Sequence, residues 1–324
     1  MWSFILINWY DGDNMKRYGI VDIGSNTIRF KIYDYMNGKV KHSVSNKKTA
    51  GLIAFKKDGK LNKDGINVLV STLKKFNKHM EELGVDEAYY FATASLRNID
   101  NTEEVLDTVK KTLNINIHVL SSDDEATLSF EIIKEKDLYG NDGILIDVGG
   151  GSSEINVFKN KTPIDEVSLP IGSLLLYQEY VSTMFPDENE KKHIKKRVLK
   201  EIKNSGISKH NREIMTGVGG SVRSIKRLLK YLNMIEPGTK LIPISLLDDL
   251  LNELSHNTKE DYNKVLQIKA ERIHTLIPGL ITVKTIAEYF NVKYLHVTNY
   301  SIREGVLNAI INGEFESPGD IIFK

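Results

Sequence analysis

Cysteine is missing from all 324 residues. That absence removes disulfides, zinc-thiolate centres and thiol nucleophiles together, and it fits a reducing, cytoplasmic compartment. An excess of either charge is missing too, with 44 Lys and Arg against 43 Asp and Glu. Net charge therefore gives no reason to expect a nucleic acid or a membrane as partner. The eight histidines show no ligand spacing such as His-Glu-x-x-His, and no Ser-His-Asp set can be assembled from the sequence. The apolar run in the leading MWSFILINWYDGDN is too short to span a bilayer, and it lacks the basic flank and small-residue cleavage site of a secretory signal. Met15 stands just before the first expected strand, so this leader reads as an upstream misreading of the start or a short appended strand, outside the functional argument.

What is present is an ordinary globular composition, 41% hydrophobic and 27% charged, in a chain long enough for two domains. The organising stretch is IDVGGGSSE, Ile146 to Glu154. It reads as a strand ending in three glycines that bring bare N–H groups close to an anion. Asp147 and Glu154 flank the turn and are placed to hold a hard divalent cation; the plainer alternative is a tight hairpin with solvated acids. A second copy, VDIGSNTIRFKIY, begins at Val21, and at a constant offset of 125 residues Asp22 meets Asp147, Gly24 meets Gly149, Thr27 meets Ser152 and Phe30 meets Ile155. Repetition of that kind predicts a duplicated α/β unit whose two turns face one cleft.

Between and beyond the copies the pattern alternates. RYGIVDIG, TIRFKIYDY and KVKHSVSN read as three strands with a turn at Asn37-Gly38, followed by a helix capped by Asn62 and Asp64, periodic through Val68, Leu69, Leu73, Phe76, Met80 and Leu83, and closed by Gly84. AYYFAT is a strand, TEEVLDTVKKTL a helix, and Arg97 between them is either a phosphate clamp or a surface arginine. After the strand INIHVLSS, the acids Asp123, Asp124 and Glu125 open a helix. Acids there complement the macrodipole and cap free N–H groups, or one of them reaches the cleft to take a proton from water. The crossing between halves falls at Leu138 to Asn141.

In the second half, PIDEVSLPIG gives a strand and a helix start at Gly172 or Ser173. DENEKKHIKKRVLKEIKNSG is a helix whose Lys192, Lys196, Lys200 and Lys203 form either a rail for a polyanion or a solvated face balanced by Glu188, Glu190 and Glu201. IMTGVGGSVRSI leads through Gly217, Gly219 and Gly220 into a helix N-terminus, an anion site or a place of close packing. The last segment gives a helix broken before Pro278, a helix to Phe290, the strand KYLHVT and a final helix opened by Arg303 and Glu304, most of it core by periodicity.

VDIGSNTIRF, TASLRNIDN, SSDDEA, IDVGGGSSEI, TGVGGSVRSI, ERIHTLIPGL and SIREGVL follow one another in an order that resembles the exopolyphosphatase and guanosine pentaphosphate phosphatase family, from about Tyr18 to about Ala309. The resemblance implies two ribonuclease-H-like domains of the actin-like ATPase fold, with the active site in the cleft between them. It places the first domain at 1–135, joined by the C-terminal helix 303–324, and the second at 136–302. It implies magnesium-dependent (or manganese-dependent) removal of the terminal phosphate from inorganic polyphosphate or guanosine pentaphosphate, in a homodimer. By position, Glu125 matches the general base and Arg97 the phosphate-binding arginine. Asp22, Asp147 and Glu154 match the acidic metal residues. Ser25, Asn26, Thr27, Gly149, Gly150, Gly151 and Ser152 match the phosphate turns, with Gly219 and Gly220 beside them. Ser122, Asp124 and Asn299-Tyr300 depart from the family pattern. Longer members continue into a helical domain with an HD-type motif, so the resemblance is to a short form. A non-catalytic sensor and an actin-like kinase remain as alternatives from other classes.

Overall fold

The computed structural model describes residues 15–125, 127–128, 140–313 and 321–322, so the leader 1–14 and the first half of the expected crossing lie outside the described residues. The described chain folds into two α/β domains, each built on a mixed sheet. In the first, Lys16–Ile23 is central, with Thr27–Met36 and then Lys39–Thr49 antiparallel on one side. Glu87–Ala92 runs parallel on the other side, followed by Ile117–Val119, also parallel. The second sheet repeats that order. Gly143–Val148 is flanked by antiparallel Ser153–Lys159 and Thr162–Leu169 on one side, and by parallel Ile214–Val218 and then Tyr294–Val297 on the other. Third, second, first, fourth, fifth is the ribonuclease-H-like order that the resemblance implies, and its repetition is the duplication expected from the motif.

Alternation explains the layering. Val21 and Ile23 on one face of the central strand join a core with the helices Lys63–Glu82 and Thr102–Leu113, while Tyr18 and Ile20 on the other join a core with the helix Ile302–Ile311. Asp22 has the parity of Ile20. The sheet therefore delivers its carboxylate to the face that carries the last helix. In the second sheet Ile144, Ile146 and Val148 face the larger core, so Asp147 is turned to the opposite side.

Local signals behave as chemistry dictates. Asn37 and Gly38 both take positive φ, 51° and 76°, which is the hairpin turn that Asn-Gly favours. The Asn62 side chain accepts from the Gly65 N–H at 2.9 Å, and Ile66, Leu69, Leu73, Phe76 and Met80 are buried beneath it. Leu83 departs from the expected stripe: it is the C-cap and is exposed. Pro278 does not break its helix, because Leu276–Tyr289 begins two residues before it and the first turn has N–H groups with no helical partner to lose. The helix Glu188–Asn204 buries Ile194, Val198 and Ile202 on the second core. Its lysines 192, 196, 200 and 203 are exposed, and none of them lines the cleft, which leaves the solvated-face reading.

Candidate active site

Two hairpin turns meet at the centre of the molecule. In the first, the Gly24 N–H donates to the Thr27 carbonyl at 3.2 Å; in the second, the Gly149 N–H donates to the Ser152 carbonyl at 3.0 Å. Each turn is braced from outside: Ala50 and Gly51 N–H groups hold the Asn26 carbonyl, and Leu174 and Leu175 N–H groups hold that of Gly150. The turns then pack against each other. A Cβ on Gly151 would lie 2.8 Å from Ser25 Oγ, and one on Gly172 would collide with the Gly150 backbone. Glycine at 151 sets how closely the two turns approach, and glycine at 172 lets the following segment close on the second turn.

The resulting cleft encloses a cavity of about 130 Å³. Asp22, Ser25, Asn26, Thr27, Glu125, Asp147, the three glycines 149–151, Ser152, Glu154, Gly219 and Gly220 all line it. Arg97 is the exception among the candidates. It stands behind Glu125, its Nη1 bonded to Glu125 Oε2 at 2.8 Å and to the Leu120 carbonyl at 3.0 Å, so its contact is with the carboxylate. Sequence reasoning passed over four other arginines that line the cleft: Arg29, Arg223, Arg272 and Arg303. All four lie inside motifs already singled out, and the usable signal was an arginine on the cleft-facing parity of a strand or just inside a helix after a turn.

Gly219 and Gly220 serve these side chains. Gly219 takes φ 84°, and a Cβ there would strike the Asp147 carboxylate; one on Gly220 would strike the Arg272 guanidinium. The Gly-rich turn is thus a recess for one acid and one arginine, at the N-terminus of the helix Gly219–Tyr231.

The acids fall into two groups. Asp124 belongs to the helix start: Ser121 Oγ donates to its Oδ2 at 2.7 Å, and its own N–H donates back to Ser121 Oγ at 3.0 Å. That capping role accommodates Asp where Glu is usual. One residue on, Glu125 is 7% exposed and turned into the cleft. Burial pushes its carboxyl up to about 7, Arg97 works against that rise, and Asp147 and Asp22 add to it. Asp147 and Glu154 are cross-strand partners. Burial raises both, and for Glu154 the charges of Glu125 and Asp147 raise it further, well above the ordinary carboxylate value. Asp22 has a different neighbour: Arg303 Nη1 donates to its Oδ2.

Charge in the cleft is four arginines against four carboxylates, but the two sets are not equally committed. Burial, followed by Arg303, lowers Arg29 only to about 10, so it stays protonated at neutral pH. The acids Glu125, Asp147 and Glu154 are all shifted toward their neutral forms. That shift tilts the cleft toward positive charge, which favours an anion. Arg303 Nε, buried and without a protein partner, is a further donor suited to one.

For a divalent cation, the donor set is small. Among the described residues no three His, Asp or Glu side chains form a ready-made cage. Magnesium needs none, since it keeps several waters and takes one or two carboxylates with substrate phosphates. Asp147 and Glu154, side by side and mutually unfavourable as anions, fit that demand; Asp22, engaged by Arg303, fits it less well.

A profile of the Ppx/GppA phosphatase family matches residues 36–314. Exopolyphosphatase 1 of Mycobacterium bovis is 24% identical over 306 residues, covering 92% of this chain and 89% of its own length. Among solved structures, the Ppx/GppA family member of Aquifex aeolicus aligns with a TM-score of 0.76 at 24% identity, over 94% of this chain and 100% of that one. An exopolyphosphatase from Cytophaga hutchinsonii aligns with a TM-score of 0.80 at 20% identity, over 92% and 98%. Those likenesses show a shared fold. Among the described residues no helix is long and apolar enough to cross a membrane. With the profile spanning most of the chain, including both the second hairpin and the segment that carries Glu125, the protein belongs to the Ppx/GppA phosphatase family.

Proposed function

We propose that the protein is an exopolyphosphatase that hydrolyses the terminal phosphoanhydride of inorganic polyphosphate. The observation that carries this reading is the convergence of Arg29, Arg223, Arg272, Arg303 and the two hairpin turns on one cleft, together with the buried carboxylate of Glu125. A terminal phosphate seated between the turns would have its oxygens met by backbone N–H groups and guanidiniums, which stabilise the charge that spreads over them as the bond breaks. Glu125, titrating near 7, is poised to accept the proton of a water attacking in line with the leaving phosphate. Arg97 holds that carboxylate in place by one ion pair. Asp147 and Glu154 would hold magnesium, which when bound supplies charge neutralisation to the phosphate oxygens.

The guanosine pentaphosphate reading requires a surface for a base. No aromatic side chain lines the cleft among the described residues, so the site grips phosphates and offers nothing to stack on. A sensor would need no working base, whereas Glu125 carries the shift that a base requires. The test is phosphate release by the purified protein with magnesium, from polyphosphate and from guanosine pentaphosphate in parallel. Polyphosphate is expected to be the better substrate, and Glu125→Gln is expected to slow release by about 10²- to 10⁴-fold with the fold retained. An equally active Glu125→Gln protein would remove Glu125 from the role; a faster reaction with the nucleotide would reverse the substrate assignment.

A further inference from the structure

The first sheet carries charge outward from the phosphate turns. Asp22 faces Arg29 across one strand pair and Arg29 faces Lys47 across the next, so all three side chains share the cleft face. With strands spaced about 4.8 Å apart, this row reaches about 10 Å from the centre of the site to its rim. At the rim the Lys47 ammonium donates to Glu271 Oε1, a residue of the second domain. The same oxygen receives Lys269 Nζ at 2.9 Å. The next residue, Arg272, lines the cleft itself. Two lysines, one from each domain, therefore hold one carboxylate beside an arginine of the phosphate site.

That carboxylate is held as an anion. Burial would raise it, but hydrogen bonds from Lys47 and Lys269 overcome this and bring it to about 2. Lys269 in turn is lowered to about 8, first by burial and then by Arg272, even though Glu271 works to raise it. A single carboxylate does not balance the cluster. The side chains of Lys47 and Glu271 keep 39% and 23% of their surface in water, so a solute can reach the pair.

Resting on the polyphosphate reading above, we propose that Lys47 and Lys269, next to Arg272 of the cleft, form a distal subsite for the inner phosphates of a chain whose terminal phosphate lies between the two turns. Glu271 is its internal counter-ion, a carboxylate that occupies the place of a phosphate until the chain displaces it. The assignment explains why an ion pair bridges the two domains at the mouth of the cleft. It also makes affinity depend on chain length, because orthophosphate fills the terminal site without reaching the rim.

The experiment is calorimetric titration of the full chain and its variants with inorganic polyphosphate and with orthophosphate, at low and high salt. Glu271→Gln is expected to tighten polyphosphate binding roughly two- to fivefold, the scale of a partly exposed ion pair. Lys47→Met is expected to weaken it by a similar factor and to flatten its salt dependence, with Lys47→Arg restoring both. Orthophosphate affinity should move in none of them. Equal shifts for chain and orthophosphate, or no shift for either while the wild type binds the chain, would overturn the subsite and leave the polyphosphate reading intact. A wild-type protein that binds no polyphosphate would overturn both.

Discussion

In the first hairpin Asp22 faces Arg29 across the ladder; in the second, at the same offset of 125 residues, Asp147 faces Glu154. Both turns close with the same glycine N–H bond, and both are braced through a carbonyl of the turn by a following segment. One duplicated backbone has thus been given opposite electrostatic tasks. The first hairpin brings a guanidinium, balanced by Asp22, which is also held by Arg303. The second brings two carboxylates that oppose each other's ionisation. The comparison teaches that the two hairpins are asymmetric: on the proposed reading the first would add a guanidinium toward the anion and the second a pair of carboxylates toward the cation.

The strongest way to break this division is to remove its charge from one side. Arg29→Met should lower kcat/KM for polyphosphate by about 10- to 150-fold, the range of a charge-assisted hydrogen bond, with little change in magnesium requirement. Glu154→Gln should do the reverse in character, raising the magnesium needed for half-maximal rate. Initial-rate titrations of substrate and metal on both variants check this. If Arg29→Met altered only the metal requirement, the two hairpins would not be specialised as described.

Much of this was legible in the sequence because the duplication preserves the turn residues. Asp22, Gly24 and Thr27 could be matched to Asp147, Gly149 and Ser152, and the hairpin topology followed from their alternation. Arg29 and Glu154 were harder to read as counterparts, because a position that changes charge between copies no longer looks like a repeat. Arg303 was absorbed into a helix that reads as core, and it is buried, but against Asp22 from a strand 281 residues away. Only the packing of the last helix on the first sheet brings them together. Arg97 was ambiguous for a related reason: its position after a strand predicts a cleft, whereas its partner, Glu125, lies 28 residues on.

The packing around the second turn offers a second test. Gly172→Ala places a methyl against the Gly150 backbone, which cannot rotate away as a side chain would. A loss of about 1–3 kcal/mol in unfolding free energy is expected, with kcat falling as the second turn is displaced. Gly151→Ala meets only Ser25 Oγ and should be milder. Denaturant titrations that ranked them in the opposite order would mean that the bracing segment is not the tighter of the two contacts.

The smallest effects are those of pH, and they separate the acids from one another. Glu125 must be ionised to accept a proton, so the rate should rise with pH through about 7. Arg97 lowers that carboxyl, so Arg97→Met should move the rising limb to higher pH; a profile left in place would show that the ion pair does not govern the base. Stability should run the other way. A carboxyl raised on folding binds more protons in the native state than in the unfolded one, so its contribution declines as pH rises above the unfolded value near 4.5. Glu154→Gln removes that decline in the second hairpin. Its melting temperature, measured without added divalent cation, should match the wild type at acid pH and exceed it increasingly toward neutrality. Magnesium should then narrow the gap by stabilising the wild type more than the variant, because the wild type has one more buried carboxylate for the ion to neutralise.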